Sequence, residues 1–582
     1  MSAQREDIID AISHDPDFDV IVVGGGINGI GVYRDLALQG LRVLLVERND
    51  YCSGCSAAPS RMIHGGLRYL ENGEFGLVRE SLAERDGLLR NAPHFVRPLP
   101  TTIPIVSLFS GSLNAVASFL RYTDKPANRG AMPIKFGLSL YDWITRKNRT
   151  LPKHRFRSAK ATRRLWPALM AGLRYSATYY DAWISHPERL GLELIIDTMA
   201  QNPRCAALNY ATLERKGSEY FLSDHQTGRE YSVRTKAIVN ATGAWLDESL
   251  GALTADKKPL EKLVSGTKGS HLILENKPLL EALNGHMMFY ENRDGRVCIV
   301  FPYLGKVLAG STDIRVENAS RVKCEEHERD YILSSLSLLF PEIEVASEQI
   351  VFSYSGIRPL PRSDHNFTGR ISRGHFTKRI VSDVPQFCMV GGKWTTFRAF
   401  AEQTTDEVLK ELGLCRSKHT SKMPIGGGRN FPANADTLID EIIQNYSVMP
   451  ERAAHLAGLY GTRAHDVQAY CEARGDDGPI VSGSSYTAGE IAFLVANEFV
   501  SSLSDIVLRR TDLAITGQLS SQMIDTICQI TSKTNNWNAA KARQEKQTLI
   551  AELQNFYGVS QDMLEKRNHI RSDQCDQIQK PE

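Results

Sequence analysis

A short apolar run that ends in a glycine turn constrains this chain more than any other feature. Residues 18–24, FDVIVVG, are apolar, rich in β-branched side chains and stop at glycine, a pattern that predicts a buried parallel strand. Residues 27–39 then read as a helix, and 41–47, LRVLLVE, as a second strand. Strand, helix and strand within about 30 residues make one crossover unit. The turn itself carries Gly24, Gly26 and Gly29 in the spacing G-x-G-x-x-G, and Glu47 closes the second strand about 20 residues later.

The spacing has a physical meaning. Glycines permit the tight turn, the close approach of backbone to a pyrophosphate, and close helix–strand packing. The helix N-terminus presents free N–H groups and a partial positive charge to that pyrophosphate. Glu47 suits the hydroxyls of an adenosine ribose and disfavours a 2′-phosphate. The motif alone also fits a tight turn with a solvated strand end, but strand and helix flank it on the correct sides, which favours a dinucleotide.

At roughly 100–200 residues per domain, 582 residues make about three domains or one large composite unit. With 42% hydrophobic and 23% charged residues, global disorder is excluded. The 69 basic and 67 acidic residues nearly cancel, so no whole-chain charge points to nucleic acid, although a local basic pocket for a small anion stays open. No apolar run reaches 18 residues, which argues against a membrane-spanning helix. The polar start, MSAQREDIIDAISHDPD, lacks the apolar core of a signal peptide, so a cytoplasmic location is expected. Ten scattered cysteines in so large a chain suggest free thiols.

Further along, 76–90 reads as a surface helix and KAIVNA at 236–241 as another apolar strand. Between about 264 and 356 the pattern changes to short strands, SHLILE, RVCIVFPY, KVLAGS and QIVFSYSG, separated by turn signals, as in an antiparallel sheet added to the parallel domain. FCMVGG at 387–392 reads as a strand entering a helix from about 395 to 412, and 413–430 has the glycines and proline of a linker. Helical patterns fill 437–555. The domain expectation is therefore an α/β dinucleotide domain over 18–420 with interleaved cap segments, a helical C-terminal domain over 421–560, and flexible ends at 1–17 and 561–582.

The segment from Asp19 through Leu70, above all MIHGGLRYLENGEFGLVRESLAERDGLL at 62–89, resembles the FAD-dependent glycerol-3-phosphate dehydrogenases, within the D-amino-acid-oxidase-like flavoprotein group. Matching motifs follow in order: NATGAW (240–245), KGSHLIL (268–274), GSTD (310–313), YSGIRPL (354–360), ISR (371–373), GGKWTTFR (391–398), MPIGGG (423–428) and LRRTDLAI (508–515). The resemblance covers about residues 18–530. It implies a Rossmann-like FAD-binding domain with an inserted antiparallel substrate sheet, plus an α-helical C-terminal domain.

It also implies roles. Gly24, Gly26, Gly29 and Glu47 would hold the ADP half of FAD, Ser56 and Ser60 its diphosphate and flavin, and Ala241-Thr242-Gly243 would pack near adenine and ribose. Gly391, Gly392, Lys393, Thr395 and Thr396 form a second strand-to-helix turn whose amides suit the flavin pyrimidine edge, where negative charge develops on reduction. His64, Arg68, His271, Arg358, Arg373 and Lys393 match active-site positions, and Tyr69 follows Arg68 as in the family. Glycerol 3-phosphate carries about two negative charges, and arginine forks suit its phosphate oxygens. A histidine titrates in the range needed to take the C2 hydroxyl proton. His64 is the favoured base and His271 its competitor, with Arg358 on the developing alkoxide, Lys393 near the flavin, and Arg68, Tyr69 and Arg373 binding substrate.

The chain departs from the family at three places. Where the family has Asp-Asp-Ala-Arg-Leu, this chain has Ser185-His186-Pro187-Glu188-Arg189-Leu190; in the loop CSGCSAAPSR the family is richer in serine and threonine; and 106–131 looks added or remodelled. Cys52 and Cys55 form a lone C-x-x-C, read as two thiols in a flavin-contacting loop, and no metal site is expected. The expected activity is oxidation of sn-glycerol 3-phosphate to dihydroxyacetone phosphate, by hydride transfer to flavin N5, with a quinone reoxidising the flavin. An oxidase or dehydrogenase of another 2-hydroxy acid or an amino acid is the alternative, and a flavin-bearing binding or regulatory protein without turnover is the second. Residues 133–149, PIKFGLSLYDWITRKNR, mix apolar and basic side chains as a peripheral membrane contact would; an ordinary core-facing helix reads equally well. The resemblance leaves a homodimer open.

Overall fold

The computed structural model describes residues 3–66, 74–106, 138–139, 150–254, 261–362, 374–475 and 477–568. Five parallel strands form the first sheet, in the order Gln386–Gly391, Glu230–Asn240, Asp17–Val23, Val43–Val46 and Ala206–Leu208, with His375–Ile380 antiparallel on one edge. Asp17–Val23 lies in the middle, and Val20 through Val22 are fully buried, as a continuous apolar run requires. The Ile27–Leu38, Pro187–Gln201 and Phe397–Glu411 helices contribute to the core around this sheet.

A second sheet of ten strands crosses the molecule. One side of it is the long antiparallel pair Ile350–Pro361 and Val264–Leu274, from which the sheet runs through Lys306–Gly310, Val297–Tyr303 and Met287–Glu291. It continues through Val96–Ile105 and Tyr175–Ile184, strands that the sequence pattern did not single out. Pro98, Pro100 and Pro104 obscure the first of these. All three share one parity, so the donors they lack fall on a single flank. The strand pairs along ten residues with Tyr175–Ile184, but meets Met287–Glu291 only through Thr101 and Thr102.

The described parts of both ends, 3–17 and 561–568, are folded where flexibility was expected. Ala3–His14 is a helix that buries Ile8, Ile9 and Ile12, and Arg5 donates to Asp224 at 2.5 Å and to the Asn209 carbonyl at 2.7 Å. The apolar spacing and one buried ion pair hold a segment whose overall polarity suggested disorder. At the other end, 561–568 is helical, with Leu564 buried and Arg567 donating to the Val351 carbonyl. The expected linker at 413–430 is docked too: Ile425 and Gly426–Gly428 are buried, where a side chain on Gly428 would run into the Asn91 carbonyl.

The C-terminal helices, from Ala435–Tyr446 to Ala539–Tyr557, share one apolar core with the second sheet. They reach the first domain through charge. Asp50, on the loop after Val43–Val46, is fully buried between Arg509 and Arg510, at 2.5 and 2.6 Å.

Candidate active site

The first glycine turn opens at the C-terminal edge of the parallel sheet, the usual ligand-binding edge. Gly24 has φ +107°, and a Cβ there would lie 2.7 Å from the Ala241 carbonyl oxygen. Gly29 packs on the Gly24 carbonyl so closely that a methyl would overlap it. Gly26 is the N-cap and offers no side chain to the helix; instead the Ile27 N–H donates to Ser56 Oγ at 3.0 Å. Glu47 accepts from the Gly25 N–H at 2.6 Å and the Asn49 N–H at 2.9 Å. Burial raises its carboxyl pKa, and these two bonds hold that rise back. A fixed carboxylate beside a helix start whose own N-cap is a glycine suits the ribose and pyrophosphate of FAD. Ala241 and Gly243 lie just beyond the neighbouring strand, Gly243 with φ +62°.

The second turn meets the first. Gly391 and Gly392 have φ +83° and +94°; a Cβ on Gly391 would sit 2.6 Å from the Gly374 carbonyl, and one on Gly392 would enter the Asn28 side chain. Asn28 Nδ2 donates to the Gly391 carbonyl at 3.2 Å, tying the two turns together. Trp394 Nε1 donates to the Ser56 carbonyl at 3.1 Å, and the His64 N–H donates to Thr395 Oγ1 at 3.3 Å. Thr395 and Thr396 are buried at the start of the Phe397–Glu411 helix. Lys393 is half-buried. It holds back the burial-raised pKa of Glu80 and joins burial in pushing His375 down to about 4.

The cap sheet brings the remaining groups. His271 is fully buried, with Nε2 2.9 Å from Ser60 Oγ and its ring stacked on Tyr354 at 5.0 Å. Burial first, then the cations of Arg358 and Arg61, drive its pKa well below the usual histidine value, which disfavours the charged imidazolium. Arg358 points at the loop 311–313: Nη1 donates to Asp313 Oδ1 at 3.1 Å and to the Thr312 carbonyl at 3.4 Å, and Nη2 to Ser311 Oγ at 3.2 Å. Its charge also reaches Cys55, whose burial-raised thiol pKa it offsets. Cys52 and Cys55 are both free thiols.

Segments near 56–64, 269–271, 311–313, 358 and 391–396 therefore meet. Arg68, Tyr69 and Arg373 lie outside the described residues, as does nearly all of 106–149. Sequence reasoning gave no role to Asp313, although it stood in the GSTD motif, nor to Asp181 and Arg61. Asp181 accepts the Gly65 N–H at 2.9 Å and holds the turn after His64. Arg61 pairs with Glu188 at 2.9 Å and donates to the Ser185 carbonyl at 3.3 Å. The segment that departs from the family is thus wired to the loop preceding His64. Arg189, at its end, pairs with Glu498 of the C-terminal domain at 2.9 Å.

Comparison with known proteins agrees with this architecture. Residues 19–405 match the FAD dependent oxidoreductase family, and 418–542 match the C-terminal domain of alpha-glycerophosphate oxidase. A glycerol-3-phosphate dehydrogenase of Synechocystis is 33% identical over 91% of this chain and 95% of that protein. A D-erythritol 1-phosphate dehydrogenase of Brucella abortus is 31% identical over 85% of this chain and 94% of that protein. The solved structure of a glycerol-3-phosphate dehydrogenase from Bacillus halodurans, complexed with FAD, shares the fold with a TM-score of 0.72, at 23% identity, over 95% of this chain and 97% of that one. The match over 19–405, the paired glycine turns and the fixed Glu47 together lead to one conclusion: this chain belongs to the FAD-dependent oxidoreductase family.

Proposed function

We propose that the chain oxidises sn-glycerol 3-phosphate to dihydroxyacetone phosphate and passes the electrons to a quinone. The observation that supports the reading is the convergence of the segments that carry these residues: the His64 N–H donates to Thr395, two residues after Lys393, while His271 bonds Ser60 and feels the charge of Arg358. Relatives that act on two different phosphorylated polyols add support.

Bound FAD would supply the hydride acceptor, at flavin N5. Gly24, Gly26, Gly29, Ser56 and Glu47 would hold its ADP half, with Ala241 and Gly243 beside it. The 391–396 turn would face its pyrimidine edge. His64 takes the proton of the C2 hydroxyl. His271 is the weaker candidate for that task, because its Nε2 is engaged by Ser60 and because burial and the nearby cations disfavour the protonated imidazolium that a base must become. Arg358 stabilises the oxygen as it gains negative charge, a contact that strengthens only on the way to the transition state. Lys393, with Arg68 and Arg373 from outside the described residues, supplies positive charge for the phosphate.

A quinone acceptor places the enzyme at a membrane surface. No helix among the described residues is long and apolar enough to cross a bilayer, so the contact proposed is peripheral. Residues 153–174 carry seven lysines and arginines and no acid, and Lys153, Arg155, Lys160, Arg163, Arg164 and Arg174 are exposed beside Leu165. Such an edge suits anionic lipid.

The test is anaerobic bleaching of the FAD-loaded protein by glycerol 3-phosphate, D-erythritol 1-phosphate, glycerol and 2-hydroxy acids. Fast bleaching by glycerol 3-phosphate and very slow bleaching by glycerol are expected. Equal rates with both would overturn the phosphate reading, and a preference for a 2-hydroxy acid would move the cationic site to a carboxylate.

A further inference from the structure

The Arg358 guanidinium occupies a seat made by residues distant in sequence. Three acceptors come from one loop: Asp313 Oδ1, the Thr312 carbonyl and Ser311 Oγ, at 3.1, 3.4 and 3.2 Å. The space comes from the adjoining strand. A Cβ on Gly269 would lie 2.5 Å from Arg358 Cζ, so the guanidinium lies where any other residue would place its side chain. This gives the glycine of KGSH a physical reason, since Gly269 pairs with Gly356 in a regular ladder and needs no unusual backbone angle.

A fully buried carboxylate braces the seat from beneath. Glu328, on the Glu326–Leu339 helix, accepts from Lys268 Nζ at 2.5 Å, Ser270 Oγ at 2.8 Å, Thr312 Oγ1 at 2.7 Å and the Glu325 N–H at 3.0 Å. Thr312 Oγ1 in turn accepts the Ser270 N–H at 3.0 Å. Lys268 and Ser270 flank Gly269, and Thr312 lies between Ser311 and Asp313. One side chain from outside the sheet therefore locks both walls of the seat, and the strand that carries His271. Buried polar networks satisfied in this way are rigid.

We propose that Asp313 is a positioning residue for the oxidation: with Ser311 and the Thr312 carbonyl it forms a preformed guanidinium seat, braced by Glu328, that holds Arg358 against the reacting oxygen. An arginine on a free stem spreads over many rotamers, and the seat removes that freedom before substrate arrives. A carboxylate partner also offsets part of the arginine charge. Arg358 then attracts a resting anion less and responds chiefly to charge that develops during the reaction. The proposal rests on the catalytic reading of Arg358 given above.

A seat built by the surroundings survives removal of its occupant, and this supplies the test. Arg358→Ala is prepared as the FAD-loaded enzyme, its flavin content and Tm are compared with the parent, and turnover of glycerol 3-phosphate is followed with a dye acceptor. Guanidinium chloride is titrated against potassium chloride at matched ionic strength. Arg358→Ala should lose about 100-fold or more in kcat/KM, and guanidinium should restore roughly tenfold with saturation. In Arg358→Ala/Asp313→Asn the restoration should disappear. A second readout is independent of turnover. Guanidinium ordinarily lowers Tm, but binding to a site present only in the folded state raises it. Low guanidinium concentrations should therefore raise the Tm of Arg358→Ala, and lower that of the parent and the double variant.

A folded, flavin-loaded and inactive Arg358→Ala that shows neither rescue nor a rise in Tm would overturn the seat while leaving the catalytic reading intact. Rescue of equal size with and without Asp313 would remove Asp313 from the role. Parent-like activity in Arg358→Ala would overturn both the catalytic reading and the seat.

Discussion

Gly24→Ala tests whether the first glycine turn holds FAD for the reasons argued. The added methyl meets two obstacles. At φ +107° an L-residue is strained by roughly 1–2 kcal/mol. Its Cβ would also lie 2.7 Å from the Ala241 carbonyl oxygen and 2.8 Å from the carbonyl carbon, both backbone atoms of the adjoining strand end. Overpacking of this kind costs about 1–3 kcal/mol. Without cofactor the turn relieves the strain by moving away from Ala241, which swings the N–H groups at the start of the Ile27–Leu38 helix off the pyrophosphate. Binding must then restore the strained turn, so the cost falls on affinity. A total of about 2–5 kcal/mol corresponds to about 30- to 5,000-fold weaker FAD binding. The control is Gly87→Ala, in the Phe75–Asn91 helix, where a Cβ meets nothing within 4 Å. Alanine there should keep FAD and stabilise by up to about 1 kcal/mol. The assay is flavin content after gel filtration, followed by fluorescence titration of FAD into the apoprotein. If Gly24→Ala holds FAD as the parent does, the turn is not pressed against Ala241 and the reasoning fails.

Asp50→Ala should cost about 3–5 kcal/mol, because it leaves Arg509 and Arg510 buried without their carboxylate; thermal unfolding measures it, and a loss below 1 kcal/mol would contradict the buried network. Glu490 accepts from Arg452, His455 and Tyr460, and His455 with Arg452 holds its carboxyl far below the usual range despite complete burial. A depressed folded pKa stabilises above the unfolded value of about 4.3, and that stability is lost as pH falls toward the folded value. Urea midpoints should therefore drop below about pH 4 in the parent, and less steeply in Glu490→Gln. The protein should float with anionic vesicles at low salt and be released by salt, and Arg163→Glu/Arg164→Glu should weaken the association. Absence of flotation with the parent would remove the support that the basic 153–174 edge lends to a membrane quinone.

The strand–turn–helix–strand unit of the candidate cofactor site was legible because its information is local. The apolar run, the spacing of Gly24, Gly26 and Gly29, and Glu47 all fall within about 30 residues, where chain geometry alone fixes relative position. Helical periodicity likewise announced the C-terminal domain, and the order of motifs carried the family. What tertiary structure decided depends on which distant segments pack together. The sequence held Asp313 and Arg358 in separate motifs, and only the antiparallel sheet brings the carboxylate of one to the guanidinium of the other. The sequence set His271 beside His64 as the competing base, and only the packing shows it enclosed by Tyr354, Ser60 and the bare face of Gly310. Ser185–Arg189 read as a substrate-site change, whereas its partners are Arg61 on one side and Glu498 on the other. The N-terminal helix looked like a loose end because its anchors, Asn209 and Asp224, lie about 200 residues away. Composition and periodicity record what a residue is and which near neighbours share its face. A hydrogen-bond partner, a buried charge or a depressed pKa belongs to the packed environment, which is fixed only once all segments have closed on one another.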